Sequence, residues 1–160
     1  MFKIGDYITH PMHGAGVIES IVTKKINGSQ RDYYVLKLPV GDMVVMVPVS
    51  GCEDIGVRSI ISRSEAEKLF SAFSEIEISM TQNWNKRYRE NMDKIKSGNL
   101  LDVASVVKGI MCRDSERGLS TSERKMLHSA KQILISELVI ATDMDYDGVE
   151  KRLCAALKEG

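Results

Sequence analysis

Cysteine is scarce and scattered. Cys52, Cys112 and Cys154 lie far apart, and no C-x-x-C pair occurs. An odd, dispersed set of three excludes a disulfide framework and a four-cysteine zinc site, and a reducing, cytoplasmic setting is expected. Proline and glycine, at 3 and 12 residues, are too few for a low-complexity or collagen-like chain. No run of about 18 apolar residues exists, so no membrane-spanning helix is expected. The N-terminus has no apolar signal core, because Lys3, Asp6 and His10 interrupt it. Net charge is also lacking: 22 basic side chains balance 22 acidic ones. A neutral total argues against a protein that coats nucleic acid without specificity, yet it leaves room for a local basic patch.

What remains is globular. Of 160 residues, 43% are hydrophobic and 28% charged, the composition of one ordinary domain or two small ones. Residues 1–60 read as strands. Phe2–Thr9 alternates loosely, Ala15–Lys25 is rich in Val and Ile, and Tyr33–Leu38 and Met43–Val49 are β-branched or aromatic runs. Turn signals separate them at Pro11 to Gly14, Asn27-Gly28 and Gly41-Asp42. Asn27-Gly28 signals a tight hairpin, whose type I′ turn needs positive φ at both central residues. Pro48 cannot donate to a ladder and marks its run as an edge or strand end. Four or five short strands in this length suggest a small Tudor- or SH3-like barrel.

Near Gly56–Ser64 the apolar spacing becomes helical. Ser64 is expected to cap a helix over 65–73, and Thr81 or Asn83 to open a second that runs to about Lys96. Ser97-Gly98-Asn99 ends that helix with turn chemistry. Leu100, Val103, Ala104, Val107, Ile110 and Met111 share one face of a third. Ser120-Thr121-Ser122-Glu123 has the spacing of a capping box and opens a fourth, with Met126, Ala130, Ile133, Leu134 and Leu138 inward. A last helix is expected over about 148–157. The expected class is α+β: a β domain over 1–58, then an all-α domain of about five helices over 59–160.

Catalytic and metal chemistry find little support. His10 and His13, with Cys52 elsewhere, are a thin basis for zinc, and a loop with one packed and one exposed imidazole suits them better. Asp143-Met144-Asp145-Tyr146-Asp147-Gly148 matches half of a calcium loop, but its twelfth position is Cys154 and its ninth Lys151. An acidic turn capping the last helix is the alternative. Gly14-Ala15-Gly16 is too short for a nucleotide fingerprint, and no phosphate-binding loop motif occurs. No enzyme, cofactor, metal or small-molecule substrate is therefore expected.

The one sizeable positive excess surrounds the one Trp. Residues 81–96 carry five basic and two acidic side chains. Asn83, Trp84, Lys86, Arg87 and Arg89 stand at a helix start, where free N–H groups suit a phosphate. Cations there could neutralise phosphates while the indole wedges or stacks against a base. The alternative is that Trp84 is core, since Trp is usually buried. Arg124 and Lys125, at the start of the fourth helix, form a second possible phosphate contact or simply a solvated first turn.

Three blocks, in order and at matching separations, give the chain a resemblance over its whole length. The first is Lys3-Ile4-Gly5-Asp6, Pro11, His13-Gly14, Gly16-Val17-Ile18 and Tyr34-Val35-Leu36. The second is Asn83-Trp84 with Arg87-Tyr88, Asn91 and Gly98. The third is Arg117-Gly118-Leu119-Ser120, Glu123, Met126-Leu127, Ala130, Ile133-Leu134 and Glu137-Leu138. The chain so resembles the bacterial CarD/CdnL family of RNA polymerase-binding transcription regulators. The resemblance implies a Tudor-like domain that docks on the lobe of the polymerase β subunit, partly by strand addition along Asp42, Val44, Val45, Met46, Val47 and Pro48. It implies that Trp84 enters the minor groove of promoter DNA at the upstream edge of the bubble. Lys86, Arg87 and Arg89 would then contact backbone phosphates nearby, with Arg124 in support. Two positions depart from relatives that carry arginine there. Lys24 keeps the charge but loses the bidentate fork, and Met46 loses the charge.

Overall fold

The change of period near residue 60 becomes a change of architecture in the computed structural model, which describes residues 2–39, 43–78 and 83–159. Five antiparallel strands come first: β1 (Tyr7–His10), β2 (Gly14–Ile26), β3 (Ser29–Lys37), β4 (Val44–Pro48) and β5 (Arg58–Ser59). Their order in the sheet is β4-β3-β2-β1-β5. The fold is α+β, with a Tudor-like β module followed by helices. β1 starts later than its alternation suggests. Lys3–Asp6 closes a turn through Asp6 N–H to Lys3 O (3.0 Å) and Lys3 N–H to the Asp6 carboxylate (2.9 Å), with Gly5 at φ 94°. Asn27 and Gly28 take the positive φ values, 52° and 80°, that the β2–β3 hairpin needs.

Ile8, Ile18, Tyr34, Leu36, Leu38, Val47, Cys52 and Val57 form the core of the β module. Beyond Val22 the hairpin leaves that core, and Thr23–Ile26 and Ser29–Asp32 are exposed throughout. Lys24 stands directly opposite Arg31 on this arm.

The helices are α1 (Arg63–Glu75), α2 (Trp84–Lys96), α3 (Leu100–Arg117), α4 (Thr121–Thr142) and α5 (Tyr146–Glu159). Ser62, not Ser64, caps α1. Its hydroxyl accepts from Glu65 N–H, and the Glu65 carboxylate accepts from Ser62 N–H, a complete capping box. Thr81 lies outside the described residues, and Asn83 caps α2. The aspartate segment does not form a calcium-type loop. Asp143 is a left-handed cap, Asp145 accepts from Gly148 N–H at 2.7 Å, and Asp147 lies in the first turn of α5. Val103, Ala104, Val107 and Ile110 of α3 meet Ala130, Leu134 and Leu138 of α4 in the main core. None of the described helices is long and apolar enough to cross a membrane.

The two modules touch where β2 crosses α4. Ala15 N–H donates to Ser136 Oγ at 2.9 Å. Gly14 lies at φ 97°, and a Cβ there would come within 2.5 Å of Ser136 Oγ and 3.2 Å of Ile133 Cα. Gly14→Ala is expected to cost roughly 2 kcal/mol or more through overpacking and backbone strain. A lowered urea midpoint in circular dichroism checks it.

Candidate nucleic-acid interface

Asn83 takes an extended conformation, and its side-chain oxygen accepts from Lys86 N–H at 3.0 Å. That bond starts α2 cleanly and sets Trp84 at its first position. Trp84 is 41% exposed, so it is not core. Tyr88, one turn on, stacks against it with ring centroids 5.4 Å apart and planes 20° apart. Two aromatic faces thus form a plate at the start of α2, and the first turn carries no acidic side chain. Lys86 and Arg89 are exposed on the same first turns of α2, with Lys86 turned to the opposite side of the helix from the plate.

Arg87 differs from expectation. It is 3% exposed and turns inward to Glu123, with Nε 3.4 Å from the carboxylate. Arg87, Asn91 and Ile95 form the buried face of α2, at i, i+4 and i+8. The Arg87 guanidinium thus packs within the helical module, on the helix that carries the plate, instead of facing solvent. Glu123 departs from its expected role for the same reason. Ser120 Oγ still accepts from Glu123 N–H at 3.2 Å and donates to the carboxylate Oε1 at 3.3 Å, while Oε2 faces Arg87 and Arg113 Nε, the latter 3.3 Å away. One buried carboxylate therefore brings the starts of α2 and α4 and the end of α3 together. Arg124 and Lys125 follow it on α4 and are exposed. The cationic surface thus comprises Lys86 and Arg89 from one helix start and Arg124 and Lys125 from another. Tyr88 was legible in principle, since i+4 from Trp84 is the stacking distance on a helix.

The second surface is the open edge of the sheet. Among the described residues β4 pairs with β3 alone, with Leu36 opposite Val45 and Tyr34 opposite Val47. Leu38 N–H donates to Met43 O and Val49 N–H to Asp32 O, each at 2.9 Å. Hydrogen-bonded pairs alternate along an antiparallel ladder, so Val45 and Val47 turn their backbone groups toward β3. Val44 and Met46 turn theirs outward, and Pro48 has no N–H to turn. Side chains divide likewise. Val47 is buried in the β core with Val45 packed on it, while Val44 and Met46 are exposed. Val47 can therefore serve a partner only through the strand it belongs to. Asp42 lies outside the described residues. Across the outer face Met46 pairs with Val35 and Pro48 with Tyr33, and the arm beyond carries Lys24 and Arg31. Like charges directly opposed across a ladder repel one another, and an anionic partner relieves that repulsion. Arg31 escaped sequence reasoning, because only the register reveals its place beside Lys24.

His10 and His13 face one another with ring centroids 4.5 Å apart, and His10 Nδ1 accepts from Met12 N–H at 3.0 Å. Burial and then the neighbouring His13 hold the His10 pKa below its ordinary value. No group of three or more His, Cys, Asp or Glu side chains able to hold a metal forms among the described residues.

Residues 2–61 match the family described as "CarD-like/TRCF RID domain", and residues 68–154 match "CarD, C-terminal domain". The chain is also similar to a protein of Bacillus subtilis (strain 168) named "Putative transcription factor YdeB". The two are 38% identical over 140 residues, which span 88% of this chain and 92% of that one. Strand edge, aromatic plate and linking helices thus fall within matched segments from both halves, and the chain belongs to the CarD family.

Proposed function

We propose that the protein is a cytoplasmic regulator of transcription initiation that binds RNA polymerase and stabilises the open promoter complex. The module over 1–58 docks on the β-subunit lobe through the outer edge of β4. The module over 59–160 sets Trp84 into the minor groove at the upstream edge of the bubble. The observation that carries this reading is the exposed Trp84, stacked on Tyr88 at the start of a helix whose first turns also carry the exposed cations Lys86 and Arg89. An aromatic wedge binds distorted DNA better than straight duplex, and a ligand shifts an equilibrium only by such a difference. Strand separation is near balance, so a small difference matters. Tethering to polymerase raises the local concentration, so a neutral protein with a modest basic patch suffices. Asn83 serves by capping, Arg87 by anchoring, and Lys86, Arg89, Arg124 and Lys125 by neutralising phosphates. The test is open-complex lifetime on one promoter, with and without the protein; an unchanged lifetime refutes the reading.

At the docking edge, Met46 offers its N–H to an incoming strand. Met46→Pro should remove that donor and leave the β3–β4 ladder intact. Polymerase binding is expected to weaken by about 2- to 12-fold, the worth of one net hydrogen bond of about 0.5–1.5 kcal/mol. Met46→Ala keeps the donor and separates side-chain loss from backbone loss. Val45→Pro would instead break the ladder within the module. Pull-down of polymerase undiminished by Met46→Pro would argue against strand addition.

A further inference from the structure

Two buried carboxylates stand on one side of α4, and each grips an arginine from a different part of the molecule. Glu123 holds Arg87 of α2, as described above. Glu137, with its side chain wholly inaccessible, holds Arg58 of β5 in a two-pronged pair at 2.8 and 3.0 Å. The Glu137 carboxylate also accepts from Ile61 N–H at 2.8 Å, in the segment that leaves the sheet for α1. Arg58 reaches further, its Nε donating to Gly98 O at 3.3 Å in the turn that ends α2. Glu123 and Glu137 are 14 residues apart on a continuous helix, a rise of about 21 Å, and about 40° from eclipsed in rotation. α2, which carries the aromatic plate, is thus tied to α4 near its start and to β5 at its end. The β module is tied to α4 by the same Arg58 and by Ala15 on Ser136.

We infer that α4 is a rigid spacer between the docking edge and the aromatic plate, and that Arg58 and Glu137 are positioning residues that fix the angle of the β module on it. The inference rests on the function proposed above. A wedge delivered by a tethered protein works only if the tether sets where the wedge lies, because misplacement of a reacting group by about 1 Å already has large effects in other systems. A loose joint would leave polymerase binding and the plate intact while spreading the plate over many positions. Lysine in place of Arg58 keeps the charge but cannot make the two-pronged contact and reach Gly98 together.

The test uses the full chain with spin labels at Glu19→Cys on β2 and Asp93→Cys on α2, both exposed positions. Cys52→Ala, Cys112→Ser and Cys154→Ser remove the native thiols. Pulsed electron resonance should give a narrow distance distribution with Arg58 present, a broad one for Arg58→Ala and an intermediate one for Arg58→Lys. Circular dichroism and Trp84 emission should be unchanged by the Arg58 substitutions, which separates a loosened joint from an unfolded module. Arg58→Ala without labels should still bind polymerase, while its prolongation of open-complex lifetime falls severalfold. A distribution that stays narrow in Arg58→Ala overturns the latch. A broadened distribution with undiminished prolongation overturns its positioning role. If the parent protein itself fails to prolong open complexes, the proposed function falls, while the distance measurement still decides whether the latch exists. If Arg58→Ala unfolds, Arg58→Lys carries the test: a distribution as narrow as the parent's then overturns the inference.

Discussion

Trp84→Ala is expected to remove most of the protein's effect on open-complex lifetime while leaving polymerase binding unchanged. Stacking between a base and an aromatic side chain is worth about 1–3 kcal/mol, so the stabilisation should fall by roughly 5- to 150-fold. The fold should barely notice. The indole is 41% exposed, and its main loss is the stack on Tyr88, a contact of about 0.5–1.5 kcal/mol. Competitor-challenged lifetimes on one promoter, beside a polymerase pull-down, read the two effects separately. A variant as active as the parent would mean that the plate does not act on DNA.

A large effect on stability is expected from Arg87→Ala. Arg87 and Glu123 are both buried, and removing one partner strands the other's charge, at a cost of about 3–5 kcal/mol. Arg113 remains near Glu123, but its Nε makes no hydrogen bond among the described residues and compensates poorly. Arg87→Met combined with Glu123→Met should lie closer to the parent, because a pair of apolar groups leaves no stranded charge; Arg113, partly exposed, can turn to water. Urea denaturation followed by circular dichroism distinguishes the variants. If Arg87→Ala is as stable as the parent, the ion pair does not hold α2, and Arg87 returns as a candidate for phosphate contact.

The same arginine shows what the sequence could reveal and what it could not. Strand and helix segments were legible because apolar spacing changes period near residue 60, and because Asn27-Gly28 and Asn83 are strong local signals. Pro48 marked its run as an edge or strand end, and it is the last residue of the edge strand β4, where a missing donor costs the ladder nothing. Local spacing failed wherever a distant element decided the outcome. Arg87 read as one more cation of a basic run, and its inward turn depends on Glu123, 36 residues away. Glu123 read as half of a capping box; its carboxylate instead bonds the Ser120 hydroxyl with one oxygen and faces two arginines with the other. Ser136 and Glu137 are polar yet wholly buried, because β2, Arg58 and Ile61 cover that side of α4, which helical spacing alone does not reveal. Helix periodicity describes one buried face, while α4 is buried on two. At the docking edge, sequence could nominate β4 but not say which of its residues face outward. That follows from register, which turns the Met46 N–H outward and the Val45 N–H toward β3.

Where the indole lies during initiation is open to direct measurement. A photo-crosslinking benzoylphenylalanine in place of Trp84 should attach to promoter DNA at the upstream edge of the bubble, only when polymerase has opened the promoter. Crosslinks to protein alone, or to duplex DNA equally without polymerase, would contradict a tethered wedge.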